Sequence, residues 1–315
     1  MRILVAGELN PDLIFSGLTA FPQPGREVLA ERLSMQLGSS SAIFAAGMAR
    51  LGNEVSFVGK IGDDYLGQFS LRELAGAGVD VRHVIVDNRL TTGVTVSIVG
   101  EDRALMTCPG AIGALAASDI PDRLMEGVRH LHVSSYYLQS SLKTGLGDLF
   151  ARARALGLTT SLDPGCDPAG RWEASEIREL LRVVDVLLLD QFELASLSGT
   201  ANIGMGMRTL SGGGALIVAK LGERGCATLG DNGVRRMPAL RVEAVDTTGA
   251  GDSFDAGFLH AWLRGMPLAD CLRCGTICGG LSTRCLGGAA SQPGWDEVER
   301  HWDGLREDSM TAGYR

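Results

Sequence analysis

No stretch of the 315 residues reaches the roughly 18 to 20 consecutive apolar positions that a membrane-spanning helix needs, which removes the integral membrane class. Basic runs are missing too. With 29 Lys and Arg against 37 Asp and Glu, the net charge is -8, a balance that argues against a general nucleic-acid or anionic-membrane binder while leaving room for a local phosphate pocket. Prolines number only ten against 43 scattered glycines. That ratio suits short turns and backbone-lined ligand loops, and excludes collagen and linkers. MRILVAGELNPDLIF reads as a first strand more than as a signal peptide, so no secretion signal is expected. The seven cysteines, an odd number, are therefore expected to be reduced thiols in a cytoplasmic protein. Cys271, Cys274, Cys278 and Cys285 invite a metal reading. Steps of three, four and seven instead put all four sulfurs on one stripe of a helix, where Cys packs as a small apolar residue.

What is present is an alternation of apolar β-rich runs with helical patterns. Strands are expected at 3–6, 55–58, 130–133, 159–162, 186–189 and 216–219, which makes a mostly parallel α/β sheet covered on both faces. Two runs differ. Residues 33–37 and 94–98 alternate apolar with polar, so they read as half-exposed strands of a small separate sheet, a lid or dimer surface within about 12–37 and 91–108. With no linker or repeat, residues 1–315 are read as one domain.

In such sheets ligands gather beyond the carboxyl ends of the strands, where this chain places Asn10, Asp12, Asp163, Asp190, Glu193, Lys220 and Gly222. The sharpest feature is the run from Asp246 through Thr-Thr-Gly249-Ala250-Gly251-Asp252 to Phe258. A small-residue turn enters a helix there, so Gly249, Ala250 and Gly251 are expected to present N–H groups to an anion at the positive end of the helix dipole. A carboxylate beside bound phosphate suits a base that accepts a hydroxyl proton, and Asp252 is read as that base. The G-x-x-x-x-G-K-[ST] motif, the G-x-G-x-x-G strand turn and the protein-kinase signatures do not occur.

DTTGAGDSFDAGFLHAW resembles, almost residue for residue, the carboxy-terminal signature of the ribokinase-like (PfkB-type) carbohydrate kinase family. LGSSSAIFAAGMARLG with VGKIGDDYLGQ resembles its amino-terminal one, and the likeness runs from about residue 7 to about residue 293. It implies a ribokinase-like three-layer α/β sandwich with a mostly parallel central sheet and a small β lid, ATP as donor, Mg2+, and often a monovalent cation such as K+ near the anion hole. Carried over by position, Asp252 is the base and Gly249, Ala250 and Gly251 the anion hole. Asn10, Asp12, Gly38 and Ser39 would bind substrate hydroxyls; Lys220, Gly222 and Gly225 would line the nucleotide. Glu193 would organise Mg2+ through water, with Asp190 where the family has Asn.

Two further departures touch the substrate. Ile43 stands in place of an Asn, and Gly165 in place of the Asn of D-P-N, so two amides are lost. Arg171 could meet an acidic group on the substrate, and Arg26 and Arg103 are similar candidates on the lid side. The implied activity is ATP-dependent phosphorylation of a hydroxyl, a primary one, on a small sugar or sugar-like alcohol. A nucleoside kinase of the same fold, or a catalytically silent sugar or nucleotide sensor, is the alternative. The expected partners are a small-molecule substrate and a second copy through the lid, with no nucleic acid and no membrane.

Overall fold

The structure is a computed structural model that describes residues 1–100, 103–230 and 233–306. The last stretch of the expected domain, 307–315, and the side chain of Arg103 lie outside that description. In chain order the strands are β1 (Arg2–Ala6), β2 (Pro11–Leu18), β3 (Ala30–Leu37), β4 (Glu54–Val58), β5 (Lys60–Gly62), β6 (Ile85–Asp87), β7 (Val94–Val99), β8 (Arg103–Cys108), β9 (His130–Ser134), β10 (Thr159–Asp163), β11 (Val186–Asp190), β12 (Leu216–Lys220), β13 (Cys226–Gly230) and β14 (Gly233–Met237). The helices are α1 (Ser40–Arg50), α2 (Tyr65–Gly76), α3 (Ser140–Ala155), α4 (Ala174–Leu180), α5 (Gln191–Ser198), α6 (Ile203–Leu210), α7 (Ala250–Trp262), α8 (Leu268–Ser282) and α9 (Trp295–His301).

The main sheet runs β14-β13-β12-β11-β10-β9-β1-β4, parallel from β12 to β4, with β13 and β14 added antiparallel at one edge. Its strands are apolar on both faces because both are covered. Ile3 and Val5 of β1 and Val186 and Leu188 of β11 join the core under α1, α7 and α8. Leu4, Ala6, Leu187 and Leu189 join the core under α3, α5 and α6. The result is three layers. On the first face β9 carries two buried histidines, whose rings bond the hydroxyls of Thr159, Ser161 and Ser134 at 2.6 to 2.8 Å, so no ring nitrogen is left dry. Burial depresses both well below the usual imidazole range, and they stay neutral.

Chain order places β4 on one side of β1 and β9 on the other. The crevice at this reversal, beyond the carboxyl ends of the strands, is where the fold leaves room for a ligand. β2 leaves β1 across that crevice and pairs with β3 and β7 in a four-stranded sheet, β3-β2-β7-β8. This is the small lid. Asp12 is thus a strand residue, placed opposite Gln36 and Thr95 in register.

Cys271, Cys274 and Cys278 are buried on α8 as the spacing requires, but Cys285 is exposed and lies beyond the helix. The expected four-sulfur stripe is therefore three residues long. Ser282 and Thr283 hydroxyls bond back to the carbonyls of Gly279 and Gly280, which competes with another helical turn. Among the described residues no helix is long and apolar enough to cross a membrane.

Candidate active site

Asp246 fastens the loop that enters α7. Its carboxylate accepts from the N–H and hydroxyl of Thr248 at 2.9 and 2.7 Å and from the N–H of Gly287 at 2.9 Å. Gly249, the residue before the helix, has φ of 69°, and a Cβ there would stand 2.6 Å from the Cα of Gly288. Both facts demand glycine. The Ala250 N–H turns back to the Thr247 carbonyl at 3.2 Å. Among the described residues the N–H groups of Gly249, Gly251 and Asp252 have no backbone acceptor, so of the three residues the sequence suggests only Ala250 has its N–H engaged.

Asp252 occupies the first turn of α7, at the wall of a cavity of about 1240 Å³. Burial, and then the negative charge of Asp163, push its carboxyl up to about 7, against the pull of Lys220 and a hydrogen bond from Ser40. That suits a group that must take a proton near neutrality. Lys220, at the end of β12, donates to Asp163 at 2.6 Å and to Asp255 at 3.1 Å. Burial alone would lower its pKa, yet these two carboxylates keep it well above the usual range. It stays charged.

Three consecutive serines at the start of α1 organise the other wall. Ser39 donates to Asn10 Oδ1 at 2.9 Å and accepts from the Asn10 N–H at 2.8 Å. Ser40 serves Asp252. Ser41 donates to Glu8 at 2.7 Å, and Ser135 donates to the same carboxyl at 2.8 Å. Burial pushes Glu8 up in spite of these bonds. Ser39 holds φ of 69°, a conformation rare for a residue with a Cβ. Gly38 is needed for a different reason: a Cβ there would meet Asp12 Oδ1 at 2.1 Å.

The model of the pfkB family carbohydrate kinases matches residues 2–295. The chain belongs to that family. It is therefore a phosphotransferase with an alcohol group as acceptor. An ATP-dependent ribose-1-phosphate kinase of Halopiger xanaduensis is 29% identical over 300 residues, covering 95% of this chain and 97% of that one. A fructokinase of Klebsiella pneumoniae is 32% identical over 287 residues, covering 85% and 92%. The structure of Arabidopsis thaliana ribokinase complexed with ribose and ATP superposes with a TM-score of 0.79 at 23% identity, covering 95% and 97%.

In this PfkB kinase Asp190, Glu193, Lys220, Gly222 and Gly225 line one cavity together with Asp163, Gly251 and Asp252. Gly225, at φ of 84°, has Met237 O only 1.9 Å from where a Cβ would sit. Asp190 and Glu193 cap α5 reciprocally, Asp190 Oδ1 accepting from the Glu193 N–H and Glu193 Oε2 from the Asp190 N–H. An Asp caps as well as the family's Asn does. Burial and the charge of Asp163 raise Glu193 well above the usual carboxylate range.

The lining of this cavity includes neither Ile43 nor Arg171, and it likewise does not include Asn10, Asp12, Gly38 or Ser39. Ile43 is buried behind the anion loop, where its Cδ1 would lie 2.4 Å from a Cβ on Gly288, and it is not in the cavity wall. Arg171 is exposed, outside the cavity wall, in a turn whose N–H groups are gathered by Asp167. Arg26 is exposed on the chain between β2 and β3. Asp255, Ser40, Ser41 and Glu8 belong to the site without having been singled out. The i, i+3 spacing of Asp252 and Asp255 on one helix was the available signal.

Proposed function

We propose that this kinase moves the terminal phosphoryl group of ATP to a hydroxyl, a primary one, of a small sugar or sugar-like alcohol. One observation carries the reading: a carboxyl pushed up to about 7 stands beside two open backbone N–H groups in a large cavity. Asp252 takes the hydroxyl proton as the oxygen attacks phosphorus, and the N–H groups of Gly251 and Asp252 hold the charge that develops on the phosphoryl oxygens. Asn10 and Asp12, presented at the root of the lid, hold vicinal hydroxyls of the acceptor. Ser39 fixes the Asn10 amide so that its remaining groups face one way.

Asp163, Asp190, Glu193 and Asp252 line this cavity with Lys220; among the described residues no three such groups stand close enough to hold a metal ion directly, so a divalent cation here would be held through water and the nucleotide phosphates. Bound with the nucleotide, Mg2+ would neutralise phosphate charge, with Glu193 and Asp190 holding its water shell. Glu193→Gln is expected to raise the Mg2+ concentration for half-maximal activity several-fold, while Asp190→Asn leaves it near the parent value. Titration of activity against Mg2+ decides this; unchanged metal dependence in Glu193→Gln would remove Glu193 from the role. K+ is the candidate monovalent cation, with buried Asp246 at the foot of the loop as the group that would favour it. A second copy is the candidate partner of the lid, where Leu29, Leu33, Leu105 and Met106 are exposed.

The direct test is acceptor-dependent ADP release on a panel of sugars, sugar acids, sugar phosphates and nucleosides. With the best acceptor, kcat/KM is expected to rise tenfold per pH unit up to about 7 and then level, because only ionised Asp252 accepts a proton. An acid limb near pH 4 would show that the titrating group is another carboxylate. ADP release that no acceptor stimulates would leave only a sensor.

A further inference from the structure

The proposed chemistry uses Asp252 and leaves Asp255, one turn along α7, without a task. Yet Asp255 is buried to 1% exposure. Its Oδ2 accepts from Lys220 Nζ, and its Oδ1 has no hydrogen-bond partner among the described residues. Asp163 and Asp255 both accept from the one Lys220 ammonium, and burial with the neighbouring Asp163 charge raises Asp255 well above the usual carboxylate range against the pull of Lys220. Burial would raise Asp163 as well, but Lys220 and these bonds hold it below the usual range.

The position of Lys220 makes this arrangement matter. A Cβ on Gly251 would stand 3.3 Å from its Nζ, so the ammonium already lies against the residue preceding the base. An ion pair between the Lys220 ammonium and Asp252 would quench the base. Two of the three ammonium donors are instead taken by Asp163 and Asp255. The groups facing Asp252 are Glu8 beyond β1, Ser40 on α1, Asp163 from β10, Lys220 from β12 and Asp255 from its own helix.

Resting on the reading of Asp252 as base, we infer that Asp255 is a positioning residue: with Asp163 it retains the Lys220 ammonium at the wall of the anion hole and keeps Asp252 free of an ion pair. The test is the pH profile of kcat/KM in the parent protein, Asp255→Asn, Lys220→Met and the double variant, each checked by thermal melting. Asp255→Asn should move the acid limb down by about one pH unit and lower kcat about tenfold, with a smaller change in acceptor KM. In the Lys220→Met background the same substitution should leave the limb where Lys220→Met alone puts it. An unmoved limb in Asp255→Asn, or an equal shift with and without Lys220, would overturn the inference, the latter by showing a through-space effect of charge alone. Asp255→Ser is measured beside Asp255→Asn in case one fails to fold. An active Asp252→Asn would instead sink the base assignment itself, so the two failures are distinct.

Discussion

Asp252→Asn is expected to lower kcat by about 100-fold or more while leaving fold and ATP binding near the parent values. The substitution keeps the shape of the side chain and the Ser40 contact, and removes only the capacity to take a proton. Saturating kinetics beside calorimetric ATP titration makes the measurement, and near-normal turnover in a folded variant ends the assignment. Stability supplies a second readout with a definite sign. The Asp252 carboxyl is raised from an ordinary 3.8 to about 7 in the fold, so the native state binds more protons than the unfolded chain between those values. Its charge therefore costs stability progressively as pH rises from about 4 through 7. The Asn variant escapes that cost, so its melting temperature should gain on the parent with rising pH.

Gly38→Ala is expected to reduce kcat/KM for the acceptor by about 100-fold with little change in the KM for ATP. A single methyl would stand 2.1 Å from Asp12 Oδ1, 2.5 Å from its Cγ and 3.0 Å from Asn10 O. Something must move, and the Asp12 side chain is the softer of the two neighbours. Displacing it leaves acceptor hydroxyls unpaired in a buried pocket, which for Asp12→Ala alone costs roughly 2 kcal/mol. The alanine adds the strain of pushing on the Asn10 backbone. Acceptor kinetics of both variants make the comparison, and a Gly38→Ala enzyme with parental acceptor KM would remove Asp12 from the substrate pocket.

The parallel strands were legible in the sequence because each is an apolar run covered on both faces, as in Val186, Leu187, Leu188 and Leu189. β2 was not, since Pro11, Ser16 and Gly17 break its pattern and it begins a few residues after β1. The β13–β14 hairpin was hidden for a related reason: Arg235 and Arg236 sit in an edge strand, where charge is tolerated. Within the candidate site, the turn at Gly249 and Gly251 could be picked out from glycine placement at a helix start, whereas Gly38 and Ser39 came from the family resemblance. Ile43 follows the glycine-rich turn by five residues, and α1 lays its side chain against Gly249 and Gly288, a packing contact that the motif position alone did not indicate. Asp255 was passed over because a polar residue on a helix ordinarily faces water, and only the fold brings β12 and its Lys220 against that turn.

The serine run at 39–41 hands its hydroxyls, in order, to Asn10, Asp252 and Glu8. Glu8 and Asn10 lie on the segment after β1 and Asp252 on α7, so the order of partners acts like a reading frame. A substitution at one serine loosens one contact, whereas inserting or deleting a single residue between Gly38 and Ala42 would reassign all three at once. This turn should therefore accept a change of letter and refuse a change of length, the opposite of what surface loops ordinarily allow.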